Sequence, residues 1–275
     1  MTSDKLSDYS SDILSDLESQ VSTSPEGGRP AGARARLAKL TQPSKLLDSL
    51  RVRHFRRAFA KLPVEQGWDI AYLGTTYGGW AVPDGVIDAD WVCYCVGAGG
   101  DISLELELID RYGCEVVSFD PAEESERAAL HAAGDRTRFT FMCVGIAEHD
   151  GTMQMWKASD PNHMALSSTN LQRTKETVAV PVRSLSSVMA ELQHERIDLL
   201  KLALEGLEYD LVPRLDLPAL GVKVLSVEFN QLVAPRRAAT LVQHIRSQGY
   251  VPVAAAALPR TTLTFARTDL VGRRG

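Results

Sequence analysis

The feature that most constrains this chain begins at residue 91. From there, short apolar runs alternate with amphipathic stretches to the end of the sequence. WVCYCVGAG (91–99) is an apolar run ending in glycines, and SLELELIDRYG (103–113) follows with helical spacing of Leu104, Leu108 and Ile109 and a glycine stop. EVVSFDP (115–121) predicts a second strand, ESERAALHAAG (124–134) a second helix and RFTFMCVGI (138–146) a third strand. Strands at 178–183, 197–204 and 222–229 are expected to alternate with helices at 184–194, 206–215 and 235–248. VPVAAAALPRTTLTFAR (251–267) reads as two strands around a Pro259 turn. Such alternation implies an α/β fold with a mostly parallel, doubly wound sheet.

Upstream, charge divides the chain. Residues 1–28 carry six acids and one lysine and few large apolar side chains, which predicts a disordered acidic tail. Ile13, Leu14, Leu17 and Val21 are spaced to form a short helix on a partner. Residues 29–61 hold ten Lys/Arg and one acid, with Leu47, Leu50, Phe55, Ala58, Phe59 and Leu62 at helical spacing. A basic helical extension and cap is therefore expected over 29–84, ahead of the main domain at 85–275. Its arginines read as a solvated face; a membrane-surface contact, a lid or a homo-oligomer interface are the other roles such a helix can take.

The whole chain of 275 residues has a net charge of −5, which argues against a nucleic-acid binder. No apolar run approaches the ~18–20 residues that span a bilayer, and MTSDKLSDYSSD lacks the pattern of a signal peptide. Four cysteines without such a signal fit a reducing cytoplasm, and no Cys/His spacing suggests structural zinc, so no metal is expected. Cys93 and Cys95 share one strand face and, with Cys114 and Cys143, read as small buried hydrophobes.

In a doubly wound sheet, ligands bind beyond the carboxyl ends of the strands. The first strand ends in Val96-Gly97-Ala98-Gly99-Gly100-Asp101, a turn that lets the backbone approach a ligand. Gly97 and Gly99 fit a dinucleotide fingerprint, but its third position is Ile102, which counts against a nicotinamide enzyme. Asp120 ends the second strand, where an acid can accept hydrogen bonds from both hydroxyls of an adenosine ribose.

VGAGGDISLELELIDRYGCEVVSFDP (96–121) followed by IDLLKLALEGLEYDLV (197–212) resembles the FkbM family of class I S-adenosylmethionine-dependent methyltransferases. TYGGWAVP (76–83), VPVRSLSSV (180–188) and VLSVEFN (224–230) extend the likeness over about 76–230 in the right order. The resemblance implies a Rossmann-like sheet of seven strands with the last antiparallel, and methyl transfer to a hydroxyl of a sugar or small secondary metabolite. It places Gly97, Ala98, Gly99 and Asp101 at the methionine side of the cofactor, Asp120 at the ribose, and Cys143, Val144 and Gly145 near the adenine. Glu205 and Glu208 match acids of the family's KIDVEGxE pattern, whose aspartate is Ala203 here; Cys95 is a second departure, at a position often acidic.

A hydroxyl acceptor must lose a proton, so a base within reach is needed. The candidates are Glu205, Glu208, Glu228 and His163, the last in the polar loop DPNHMALSSTN (160–170); Glu205 is the preferred base or acceptor orienter and Glu228 a supporting acid. Trp80 is the better aromatic candidate for a cofactor or lid contact, whereas Trp91 opens a core strand and reads as packing. Ala203 supports one alternative, a methyltransferase-fold protein with altered or absent catalysis that binds without turnover.

Overall fold

A computed structural model describes residues 43–157, 166–170, 173–256 and 260–273. The acidic tail, the first part of the basic segment, His163 and Pro259 lie outside them. The chain divides into two compact units, 1–54 and 55–275. Helix α1 (Pro43–Phe59) reaches the second unit with its last five residues, where Phe55 and Phe59 are buried. Phe59 packs on Phe229 with ring centroids 5.3 Å apart. Of the predicted apolar positions Phe55 and Phe59 are thus buried and Ala58 and Leu62 partly so, whereas Leu50 is exposed; Arg53 and Arg57 are exposed, while Arg56 donates to Gln231 (2.9 Å).

The second unit continues with a hairpin, β1 (Ile70–Leu73) and β2 (Trp80–Pro83). Then follow β3 (Val92–Val96), α2 (Ser103–Glu107, prolonged by a π-helical turn over Leu108–Tyr112), β4 (Glu115–Phe119), α3 (Glu123–Ala133) and β5 (Phe139–Met142). Next come β6 (Gly145–Ile146), β7 (Gly151–Lys157), β8 (Leu166–Ser167), β9 (Thr177–Arg183) and α4 (Leu185–Leu192). The last part holds β10 (Leu199–Leu202), α5 (Glu208–Leu211), β11 (Val224–Glu228), α6 (Pro235–Ser247), β12 (Tyr250–Ala256) and β13 (Thr262–Arg267).

Seven strands form one sheet in the order β12-β13-β11-β10-β3-β4-β5. The final strand, β13, runs antiparallel to both neighbours and the other pairings are parallel, as the resemblance implies. The central strands read as continuous apolar runs because both of their faces are covered. Tyr94 and Val96 point into a core with Val117, Leu200, Leu225, Leu185 of α4 and Ile245 of α6. Cys93 and Cys95 point the other way, with Leu104, Leu108, Trp91 and the hairpin residues Leu73, Trp80 and Val82. Cys93, Cys95 and Cys114 are buried and no disulfide forms among the four thiols; Cys143 is partly exposed.

Helix ends follow local chemistry. Ser184 caps α4 by accepting from the Ser187 N–H. Glu123, Glu124 and Glu126 crowd the start of α3, where the helix dipole favours acids. Gly113, with φ 77°, stops the helix begun at Ser103.

The structure corrects two of the strand expectations. The strand predicted over 138–146 breaks after Met142: the Val144 N–H turns back to the Met142 carbonyl (2.8 Å), and β6 leaves the main sheet. The strand predicted at 178–183 likewise joins a separate sheet, ordered β6-β9-β7-β8, with β7 and β9 antiparallel. Its residues show why. Val180 and Val182 are buried, whereas Thr177, Ala179 and Pro181 are exposed, the alternation of a sheet wet on one face.

Candidate active site

The register of the main sheet brings three strand ends level: Val96 of β3 pairs with both Phe119 of β4 and Leu202 of β10. Beyond them opens a cavity of about 610 Å3. Gly97, Ala98, Gly99, Asp101, Asp120, Gly145, Glu205 and Glu228 all line it, joined by Ala203. Of the other expected residues, Cys143, Val144 and Trp80 do not line it. Trp80 is 1% exposed and lies in the core beneath, under the cations of Lys201 and Arg260, and its indole N–H has no partner among the described residues.

The glycine turn is locked to its neighbours. The Gly97 N–H donates to the Phe119 carbonyl (2.8 Å), and its own carbonyl accepts from Lys201 Nζ (2.7 Å). Gly97 has φ 81°, and a Cβ there would lie 2.1 Å from the Ala203 carbonyl oxygen. No side chain fits where these two backbones meet.

Asp120 accepts from the Gly99 N–H at Oδ2 (2.9 Å) and from the Ala122 N–H at Oδ1 (3.0 Å). Burial pushes its carboxyl up, and the two N–H donors oppose that. A carboxylate oxygen can accept more than one hydrogen bond, and Asp120 lines the cavity. Asp101 accepts from Thr75 Oγ1 (2.5 Å) and from the Ser103 N–H (2.9 Å). Burial raises its carboxyl, but hydrogen bonds from Ser103, Thr75 and Gly78 outweigh this and leave it below its ordinary range.

The acids after β10 and β11 take different roles. Glu205 has φ 49°, and its carbonyl accepts from Ser167 Oγ (2.7 Å) and Thr169 Oγ1 (3.3 Å), so the second sheet is tied over the loop. Glu228 is raised by burial and by Glu205, while Arg260 draws it back down. Glu208, by contrast, is fully buried and does not line the cavity. Its carboxylate accepts from the Gly206 N–H (2.7 Å) and the Asn230 N–H (2.9 Å), joining the loops that follow β10 and β11.

Burial pushes Glu208 up to about 7 from 4.5. Between those values the folded chain holds a proton that the unfolded chain has shed. Its contribution is thus complete below pH 4.5 and is lost as pH rises through about 7. The loss over that window is about 3 kcal/mol. Denaturant unfolding of the wild-type protein between pH 5 and 8 should show this decline, and Glu208→Gln should flatten it.

The family model for the methyltransferase FkbM domain matches residues 95–252. The chain belongs to the FkbM methyltransferase family. No curated protein sequence matches it. Among solved structures it is similar to an FkbM methyltransferase from Methylobacillus flagellatus KT, at 13% identity and TM-score 0.43. That match covers 67% of this chain and 46% of the other. It is also similar to the fibrillarin pre-rRNA processing protein of Methanococcus jannaschii, at 10% identity and TM-score 0.40, covering 76% and 86%. A third likeness is to Aeropyrum pernix fibrillarin in complex with natively bound S-adenosyl-L-methionine, at 9% identity and TM-score 0.40, covering 74% and 85%.

S-adenosylmethionine is the cofactor that membership of the FkbM methyltransferase family brings, and the cavity fits it. An acid with spare lone pairs stands at the end of β4, and a backbone turn that admits no side chain stands at the end of β3. Lys201, Tyr77 and Arg260 also belong to this FkbM site, although the sequence reading gave them no role. Lys201 lies inside the quoted family run and carried a signal; Arg260 follows an alanine-rich strand and carried none. Among the described residues no group of three or more His, Cys, Asp or Glu could hold a metal ion.

Proposed function

We propose that this chain is an S-adenosylmethionine-dependent O-methyltransferase acting on a hydroxyl of a sugar or small secondary metabolite. The observation that carries the reading is one cavity shared by the Gly97–Asp101 turn, Asp120 and the acids Glu205 and Glu228. Its volume of about 610 Å3 falls in the range of small-molecule sites. The net charge of −5 also favours a small acceptor over a polyanion. Among the described residues no helix is long and apolar enough to cross a membrane.

In this reading Asp120 grips the ribose hydroxyls and Asp101 the methionine end. When bound, the cofactor supplies an electrophilic methyl group. Glu205 orients the acceptor hydroxyl and takes its proton. Glu228, partly buried and so less readily ionised, holds the acceptor's far side through its carboxyl. Ile146, Met155 and Leu166 line the cavity with apolar surface that keeps water from the acceptor.

Calorimetric titration with S-adenosylmethionine and S-adenosylhomocysteine tests the reading; micromolar binding supports it and no binding to either overturns it. Acceptors are then screened by mass shift. With an acceptor found, Glu205→Gln should lower kcat about 100-fold while cofactor affinity stays within about twofold. Equal losses in both would remove Glu205 from the proton-transfer role.

One observation favours a second reading. Ala203 lines the cavity where the family pattern has its aspartate, so the chain could hold cofactor without turnover. Tight cofactor binding with no transfer to any acceptor, and transfer gained by Ala203→Asp, would establish that reading instead.

A further inference from the structure

Resting on the cofactor reading above, we propose that Arg260 is the receptor for the cofactor's carboxylate, forming with Asp101 a clamp for its zwitterionic amino-acid end. Two cations line the cavity among the described residues. Lys201 is 3% exposed and spends its charge on the Gly97 carbonyl. Arg260 is the other, with one fifth of its side chain open.

Asp101 and Arg260 hold the two sides of one turn, residues 75–79, between β1 and β2. On one side Thr75 is bound twice, by Asp101 and by the Ser103 hydroxyl, to which the Thr75 N–H donates (2.8 Å). Gly78 runs so close to this acid that a Cβ would lie 2.3 Å from the Asp101 carboxyl carbon. On the other side Arg260 donates to the Gly79 carbonyl (3.1 Å) and lies over the rings of Tyr77 and Trp80, at 5.8 and 5.0 Å. Both groups also act on the same buried carboxyl, Glu105, with opposite sign. A negative and a positive group that bind this turn from opposite sides therefore line one cavity.

An α-amino acid head carries an ammonium and a carboxylate on one carbon, and needs that arrangement. Asp101 is kept ionised by its hydrogen bonds and suits the ammonium. Arg260 keeps donor capacity for the carboxylate. Of the five N–H donors of a guanidinium, two are engaged by described residues, and the one to Glu228 is long at 3.4 Å. Stacking on aromatic rings holds its plane without consuming those donors.

The test compares two ligands that need no acceptor. S-adenosylhomocysteine carries the amino-acid end; 5′-methylthioadenosine keeps the nucleoside and sulfur but lacks it. Both are titrated calorimetrically into the full chain as wild type, Arg260→Met and Arg260→Lys. Arg260→Met should weaken S-adenosylhomocysteine about 10- to 100-fold, the worth of a charge-assisted contact. It should leave methylthioadenosine within about twofold, and Arg260→Lys should recover part of the loss. Methylthioadenosine binding also reports that the variant has folded. An equal loss for both ligands, or no loss for either, overturns the proposal. Wild-type protein that binds neither ligand overturns the cofactor reading itself, a separate result.

Discussion

Gly97→Ala should lower the stability of the protein by about 3 kcal/mol or more, and remove cofactor binding with it. The new Cβ would sit 2.1 Å from the Ala203 carbonyl oxygen, well inside contact distance. The φ of 81° adds the cost of a left-handed backbone for a residue with a side chain. Relief is not local. The Ala203 N–H is itself bound to the Val96 carbonyl (3.0 Å), so β10 cannot retreat without breaking its pairing to β3. The carbonyl of Gly97 also holds Lys201, which would lose its partner inside the core. Thermal unfolding followed by circular dichroism should show the midpoint fall by about 6–12 °C. A change below about 2 °C would mean that the two strand ends are looser than this contact implies.

Asp120→Ala should weaken S-adenosylhomocysteine about 100-fold or more, because two hydrogen bonds to a charged group are lost together. The same change also frees the N–H groups of Gly99 and Ala122, so part of any loss could come from a disturbed turn. A cycle with the ligand separates the two causes. The 2′-deoxy analogue of S-adenosylhomocysteine should bind wild-type protein about tenfold more weakly than the parent. In the variant, parent and analogue should bind alike. A full penalty for the missing hydroxyl in both proteins would take Asp120 away from the ribose.

The parallel core was legible because strands covered on both faces leave an uninterrupted apolar record. VCYCV, EVVSF, LLKL and VLSVE are all of that kind, and each sits where the sequence places a strand. The seven-strand count and the antiparallel β13 came from the family likeness, whereas the order of the strands comes from the structure. The strand read at 178–183 is present as TVAVPVR, and only its exposed alternate residues separate it from the core strands and assign it to the smaller sheet.

The candidate site was legible where it depends on short range. A glycine turn and an acid 21 residues later fix one half of the cavity, because β3 and β4 are neighbours in sequence and in space. The other half is assembled at long range. Arg260 reaches the cavity only because β13 inserts between β11 and β12, which no local pattern announces. Glu208 shows the reverse case. It was visible as a motif acid, yet its two backbone donors come from loops whose approach is set by tertiary packing. Trp80 was assigned to the site by its glycine-flanked position, but burial in the core makes it a floor rather than a wall.

The second sheet leaves the main fold after Met142 and returns at Leu185, contributing Met155 and Leu166 to the cavity. Asp120, Asp101 and the glycine turn all precede this excursion in the chain. Substitutions in β7 and β8 can therefore alter the cavity without touching Asp120, Asp101 or the glycine turn. In evolutionary terms, the excursion is a separable segment: its residues can reshape one wall of the cavity while the sheet that carries the glycine turn stays intact.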